Sequence, residues 1–226
     1  MIHRPHVLRR SFPALLFGLL VPVVPSAYAL NPFQESSGQV VMEAENFDSK
    51  VARSGQDWVA ETSQAGYAGS GYRRAMPNNN VNINTGYVTT SPELVYKVKF
   101  STPGTYYVWI RGHASTTSDD SVHVGIDGTG PATSDRMGDF PAAWTWLQTT
   151  LDGPVATLTV PNAGVHTIHV WMRQDGLRVD RILLRTSSSS TAPSGTGPAE
   201  SPRVAVDTTP PVVTITSPAN NSIYVQ

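Results

Sequence analysis

Three carboxylates, Glu43, Glu45 and Asp180, are the side chains of this 226-residue chain best placed by type and spacing to hold an ion. Glu43 and Glu45 stand two apart in the run Val-Val-Met-Glu-Ala-Glu-Asn at 40–46, so along a strand they project the same way. Asp180 falls on the opposite face of a second alternating run in which Leu177, Val179 and Leu183 share one face. Pairing of the first strand with the last would bring the three acids together, where they repel unless a hard cation sits between them. Oxygen-only ligation completed by backbone carbonyls is calcium chemistry, so Ca2+ is the expected ion. The same residues also read as two exposed acids on an edge strand and an Asp180 paired with Arg178 or Arg181.

A second set could bind sugar. Sugars present apolar CH faces to aromatic rings and hydroxyls to charged hydrogen-bonding groups. One outward face is expected to carry Trp109, Arg111, His113, His123, Trp171 and Arg173, with Asp119 and Asp120 in the adjoining loop. The plainer alternative is that His and Arg here neutralise Asp on a solvated sheet. A third set sits in loops: Tyr67 and Tyr72 in a Gly-rich segment, Trp144 and Trp146, and the turn Gln174-Asp175-Gly176. Trp146 is expected in the core, while Trp144 and Asp175 are binding candidates. Catalysis has little to stand on. His113, His123, Asp120 and Ser121 lack a nucleophile elbow or oxyanion-hole motif, His166 and His169 lack the spacing of a zinc helix, and residues 66–71 are not followed by a helix as a phosphate loop would be. The chain is read as a non-enzyme.

The elements that must position these groups are strands. Residues 165–173 and 177–184 alternate apolar and polar about an Asp-Gly turn, the signature of a hairpin. Further alternating runs at 40–44, 58–62, 93–100, 105–113, 121–127, 146–150 and 155–160 bring the count to about nine, with turn signals between them. No stretch sustains helical periodicity. The expectation is an all-β sandwich or jelly roll at 39–186, large enough to bury a real core.

The opening Met-Glu-Ala-Glu-Asn at 42–46 and the closing Asp-Gly-Leu-Arg-Val-Asp-Arg-Ile-Leu-Leu at 175–184 resemble the first and last strands of β-sandwich carbohydrate-binding modules of families six and thirty-five, and of the related domain at the end of family 115 glycoside hydrolases. The resemblance covers roughly residues 39–186. It implies a glycan ligand, a structural calcium held by the acids matching Glu43, Glu45 and Asp180, and a loop-end site with an aromatic pair beside a polar residue, commonly Asn, before the last strand. Here Asp175 stands near that place.

Around this unit the composition changes. Arg4, Arg9 and Arg10 precede an apolar run at 12–24 and then Ala27-Tyr28-Ala29, the order of a secretory signal cleaved after Ala29. The run is too short and too rich in Pro for a membrane span, so no membrane insertion of the mature chain is expected. Removal of residues 1–29 leaves a formal charge of about −4, which argues against nucleic acid as a partner. The absence of Cys excludes disulfides and thiolate metal sites. Residues 30–38 form a polar lead, and 187–206, rich in Ser, Thr, Pro and Gly, read as a flexible linker. Residues 207–226 look like the first strand of a bacterial immunoglobulin-like repeat, too short to bury a core, so further domains of the same polypeptide are expected. The functional expectation is a secreted, non-catalytic glycan-binding module. The rivals are a structural or adhesive spacer, and an accessory module serving a glycoside hydrolase domain outside this chain.

Overall fold

The computed structural model describes residues 31–203, so the expected signal at 1–29 and the immunoglobulin-like start at 207–226 lie outside the described residues. Among the described residues twelve strands form two sheets. The five-stranded sheet has β1 (Phe33–Gln34), β6 (Glu93–Phe100), β11 (Gly164–Met172) and β8 (Val122–Ile126) in that order, with β3 (Ser49–Val51) also on β6. In the seven-stranded sheet the order is β10 (Thr157–Val160), β7 (Gly104–His113), β12 (Arg178–Arg185), β5 (Tyr72–Met76) and β4 (Asp57–Glu61). Two short strands complete it, β2 (Gln39–Glu43) on β12 and β9 (Thr145–Leu147) on β7. All nine expected strands form, and the first expected strand pairs with the last, Glu43 opposite Arg181 and Met42 opposite Ile182. The pieces missing from the sequence reading, β1, β3 and β5, are short or carry polar residues such as Arg73 and Arg74.

Alternation fixes which side of each strand is buried. Leu94, Tyr96, Val98 and Phe100 of β6, Tyr106, Val108 and Ile110 of β7, and Ile168, Val170 and Met172 of β11 meet between the sheets, each at 1% exposure or less. Tyr96 can lie there because its hydroxyl donates to the Ala44 carbonyl at 2.9 Å, which removes the cost of a buried unpaired OH. Trp58, buried in the same core, donates from its indole to the Pro92 carbonyl.

The expected hairpin is not one. β11 belongs to the five-stranded sheet and β12 to the other, so residues 173–177 carry the chain across the sandwich. The turn's backbone bonds elsewhere instead: Gln174 N–H to Ser121 and Asp175 N–H to Val81 in neighbouring loops, and Gly176 N–H to Ala75 of β5. Gly176 has φ +83°, and a Cβ there would strike Asn78 and Asp119, so glycine is required at this corner too. Alternation and an Asp-Gly turn are common to a hairpin and a sheet-to-sheet corner; what separates them is the hydrogen-bonding partner of each arm.

Residues 187–203, expected as a free tether, run back across the outer face of the seven-stranded sheet. Arg111 and the Trp146 indole both donate to the Gly195 carbonyl, and Arg181 donates to the carbonyls of Thr196 and Pro198. Ser201 and Glu200 satisfy the open edge of β2: Val41 N–H donates to Ser201 Oγ, Glu43 N–H to Glu200, and Ser201 N–H to the Val41 carbonyl. An open strand edge is a liability that such a cover removes. Arg203 finishes the segment, its guanidinium 3.7 Å over the Phe33 ring and bonded to Asp48 and to the Asn31 and Asn46 carbonyls. The segment has few apolar side chains of its own, but it brings backbone carbonyls to arginines that need acceptors.

Candidate functional site

A β-bulge places the acids. Between Val179 and Arg181 the register of β12 against β7 shifts, so the consecutive residues Asp180 and Arg181 both turn outward while Val179 and Ile182 enter the core. Arg181 makes a two-pronged pair with Glu43, directly opposite on β2. Asp180, fully buried, accepts from Arg111 Nη1 at 2.5 Å and from the Ala68 N–H at 2.9 Å. Burial still outweighs these partners and pushes its carboxyl up to about 6. Glu45 lies in a short turn (Ala44–Asn46), not in the strand, and accepts from the Ser70 and Gly71 N–H groups. The three acids do converge on one loop at 66–71. Gly69, with φ +64°, packs so closely on Glu45 and Glu43 that any side chain there would collide with them.

The expected calcium does not fit this donor set. Both oxygens of Glu43 and both of Asp180 are engaged, the charges being met by Arg181 and Arg111, and only Glu45 Oε2 is buried without a partner. Among the described residues no group of three His, Cys, Asp or Glu side chains is placed to hold a metal ion. The partner expected for Asp180 was Arg178 or Arg181; it is Arg111, from a strand neighbouring in space and far in sequence.

The single outward face is in fact two, on opposite sides of the sandwich. Trp109, Arg111 and His113 lie on the seven-stranded sheet, whereas His123, Trp171 and Arg173 belong to or extend strands of the five-stranded one. Both are covered. Trp109, at 2% exposure, packs with Val41, Trp146 and Leu183, under Arg185 stacked 4.8 Å above its ring. Trp146 is therefore buried as expected, but in this outer cluster and not between the sheets. On the other side Trp171 is fully buried, stacked on His169 and tilted against Tyr87 of the helical turn α1 (Tyr87–Thr90). Tyr87 stacks on His123 at 3.7 Å between centroids and 5° between planes. His123 Nδ1 accepts the Arg136 N–H, so Nε2 carries the proton and donates to the Ile83 carbonyl. Burial holds this imidazole down at about 4, neutral at pH 7. Asp175 is fully buried at the corner with one oxygen on the Asn79 N–H, and Asp120 is buried near Arg173, its carboxyl raised by burial and by Asp139.

Trp144 is different. It is the one tryptophan of the five whose residue retains solvent exposure. Its ring is held from several sides, by the edges of Tyr72 at 5.2 Å and His113 at 5.4 Å and by the Arg111 guanidinium 5.4 Å from its centroid, while the indole N–H donates to the Ala65 carbonyl. Tyr67, half-buried, leans on Tyr72 at 5.7 Å, and the Tyr72 hydroxyl is anchored on Glu61. Register places His113, Arg178 and Arg74 side by side across β7, β12 and β5. Two buried nitrogens in this group, His113 Nδ1 and Arg178 Nε, have no protein partner. Burial and the neighbouring Arg178 lower the His113 pKa, which favours the neutral ring. Sequence reading had singled out Trp144 and His113; Arg74 and Arg178 were missed because the strand that aligns them, β5, was itself invisible.

Residues 32–200 match the family model of the Glycosyl hydrolase family 115 C-terminal domain. A curated relative, Uncharacterized protein P23 of Formosa agariphila, is 30% identical over 189 residues, 70% of this chain and 46% of the relative, so the chain spans about half the length of the curated relative it matches. Among solved structures, a family 35 carbohydrate-binding module from Clostridium thermocellum is 23% identical, over 66% of this chain and 98% of that one, with a TM-score of 0.45. Another, from Paenibacillus barcinonensis, is 22% identical over 66% and 99%, with a TM-score of 0.43. The family match begins in β1's approach and ends at Glu200, inside the segment that closes over the sheet, and this chain belongs to the family of the glycosyl hydrolase family 115 C-terminal domain.

Proposed function

We propose that this is a non-catalytic glycan-binding module whose ligand stacks on Trp144. The observation that carries the reading is the indole itself: partly exposed, fixed by four neighbours, and bordered by polar groups that lack partners. A ring already immobilised loses little freedom on binding, which is what preorganisation contributes to affinity. The apolar CH face of a sugar would lie on the indole, with hydroxyls toward His113, Arg178 and Arg74. Membership in a family of domains attached to glycoside hydrolases supports the reading. The role that follows is to hold a larger exported polypeptide near its glycan and raise the local concentration of the neighbouring domains. Export rests on the signal-like order of residues 1–29.

A structural spacer is the second reading, and the burial of Trp109 and Trp171 favours it, because most of the aromatic surface expected to meet sugar is already occupied. A glycan array separates the two. The glycan-binding reading expects at least one oligosaccharide to be retained, and Trp144→Ala to weaken it by about 1 kcal/mol or more. Absence of any ligand on a broad array, with calcium present, would leave the spacer.

A further inference from the structure

One side chain ties the crossing segment to the aromatic site. Arg111 extends its guanidinium in three directions, each toward a segment remote from the others in sequence. Nη1 donates to Asp180 at 2.5 Å, Nη2 to the Gly66 carbonyl at 3.0 Å and Nε to the Gly195 carbonyl at 3.2 Å. The same guanidinium stands 5.4 Å from the centroid of the Trp144 ring. We propose that Arg111 is a positioning residue for Trp144 and that the turn at residues 194–197 sets it, so that the crossing segment acts on glycan binding through Arg111; the proposal rests on the glycan-binding reading of Trp144.

The ties run both ways from Arg111. Toward the segment, the Gly195 carbonyl also accepts the Trp146 indole N–H at 3.2 Å, and the turn around it is closed by the Gly197 N–H donating to the Ser194 carbonyl at 2.9 Å. Gly197 lies so close on Trp146 that a Cβ there would come within 2.7 Å of the ring. Arg181, opposite Arg111 on β12, holds the carbonyls of Thr196 and Pro198. Toward the site, the Gly66 carbonyl that accepts from Arg111 adjoins the Ala65 carbonyl, which accepts the Trp144 indole N–H at 2.9 Å. A Cβ at Gly66 would come within 3.0 Å of the Trp144 ring. Register adds a third link: Trp146 of β9 stands opposite Arg111 on β7, two residues after Trp144.

A guanidinium is planar and its N–H groups form a fixed fork, so bonds to three segments set its plane, and that plane sets where the Trp144 ring can rest against it. Without the Gly195 carbonyl, Nε loses its acceptor on a side chain only 6% exposed. A buried donor left unpaired is costly, and rotating the guanidinium toward water relieves the cost. That rotation gives up the Gly66 carbonyl or the contact with Trp144. The indole must then be ordered at the moment of binding, which weakens affinity by about three- to tenfold. Coupling of this kind is reciprocal: a glycan that needs Trp144 in place holds the segment down by the same factor.

The test uses the whole chain and three variants. Gly197→Val drives a side chain into Trp146 and unseats the turn while leaving Arg111 and Trp144 unaltered. Arg111→Lys keeps the charge beside Asp180 and loses the fork. Val98→Ala lowers stability in the core between the sheets, away from both. The Trp144 indole N–H resonance of the free protein should move or broaden in Gly197→Val and in Arg111→Lys and keep its place in Val98→Ala. The oligosaccharide retained most strongly on a glycan array should bind the first two about three- to tenfold more weakly and the third unchanged. In the unmodified chain, saturation with that oligosaccharide should slow hydrogen exchange of the Gly197 amide by the same factor. A Trp144 resonance that keeps its place in both Gly197→Val and Arg111→Lys overturns the proposal, and so does an equal change in Val98→Ala, which would trace the effect to stability at large. Movement in Arg111→Lys alone overturns the role of the turn and leaves Arg111 as the positioning residue. If no oligosaccharide binds the unmodified chain, the glycan-binding reading falls, and the resonance alone decides whether Arg111 and the turn position Trp144.

Discussion

The two outer faces of the sandwich solve the same problem with different chemistry. Each carries a buried tryptophan and a row of titratable groups. On the five-stranded side the cover is the turn at Tyr87, and the group beneath it, His123, is neutral and satisfied by two backbone partners. The cover on the seven-stranded side is the crossing segment at 194–201, and the groups beneath it are two Arg–carboxylate pairs whose spare guanidinium nitrogens bind the segment's carbonyls. A neutral buried imidazole contributes stability only while it stays neutral; buried ion pairs contribute only while both members are present. The difference is that one face is vulnerable to acid and the other to loss of a single side chain.

The largest effect is expected from breaking one ion pair. Arg111→Met leaves Asp180 buried without its ion-pair partner, and the loss of stability should be about 3–5 kcal/mol by denaturant unfolding. A change under 1 kcal/mol would mean that the seven-stranded face does not depend on its charge pairs.

The second effect is acid lability of the opposite face. His123 is held near 4 against an ordinary value near 6.5, so the folded state resists its protonation. The stability this contributes is complete above pH 6.5 and is lost as pH falls toward 4, on the order of 3 kcal/mol in all. Asp180 works the other way: its folded-state value is raised to about 6, so its contribution is present below its ordinary value near 4 and lost as pH rises through 6. The two oppose each other over the same window. Replacing His123 by Phe should remove the acid-labile part and leave a profile that rises on acidification between pH 6 and 4. An unchanged acid limb in His123→Phe would place the lability elsewhere.

Smaller again is the effect of the cover itself. Ending the chain after residue 192 should expose Trp109 and Trp146, shift tryptophan emission to the red and cost roughly 2 kcal/mol from apolar area returned to water. Emission that does not move would mean the segment adds nothing to burial. The smallest shift is expected from chelator. With Arg181 and Arg111 meeting the charges of Glu43 and Asp180, EDTA should leave the melting temperature unchanged; a fall of several degrees would show a cation seated at Glu45 and the arginines displaced by it.

Strand positions were legible because period-two alternation is a local property, and β6, β7 and β11 display it over eight or more residues. Pairing of β2 with β12 was legible from the resemblance of the two ends. Sheet membership was not: Trp109 and Trp171 sit in similar Trp-x-Arg contexts, and nothing local says that one belongs to each sheet. The cover at 187–203 was hidden by composition, since its contacts are made by carbonyls, which every residue has. Its only charged side chains, Glu200 and Arg203, were the available signal, and both are anchored. Trp144 survived as a candidate because a tryptophan beside Pro141-Ala142-Ala143, with no alternating run before it, had no strand face in which to be buried.

The most direct measurement of the central claim follows the five indole N–H resonances during titration with a glycan selected on the array. The Trp144 resonance should shift in proportion to occupancy while those of Trp58 and Trp171 stay still, and the shift should vanish with the binding in Trp144→Ala. A glycan that binds while the Trp144 resonance does not move would contradict the account.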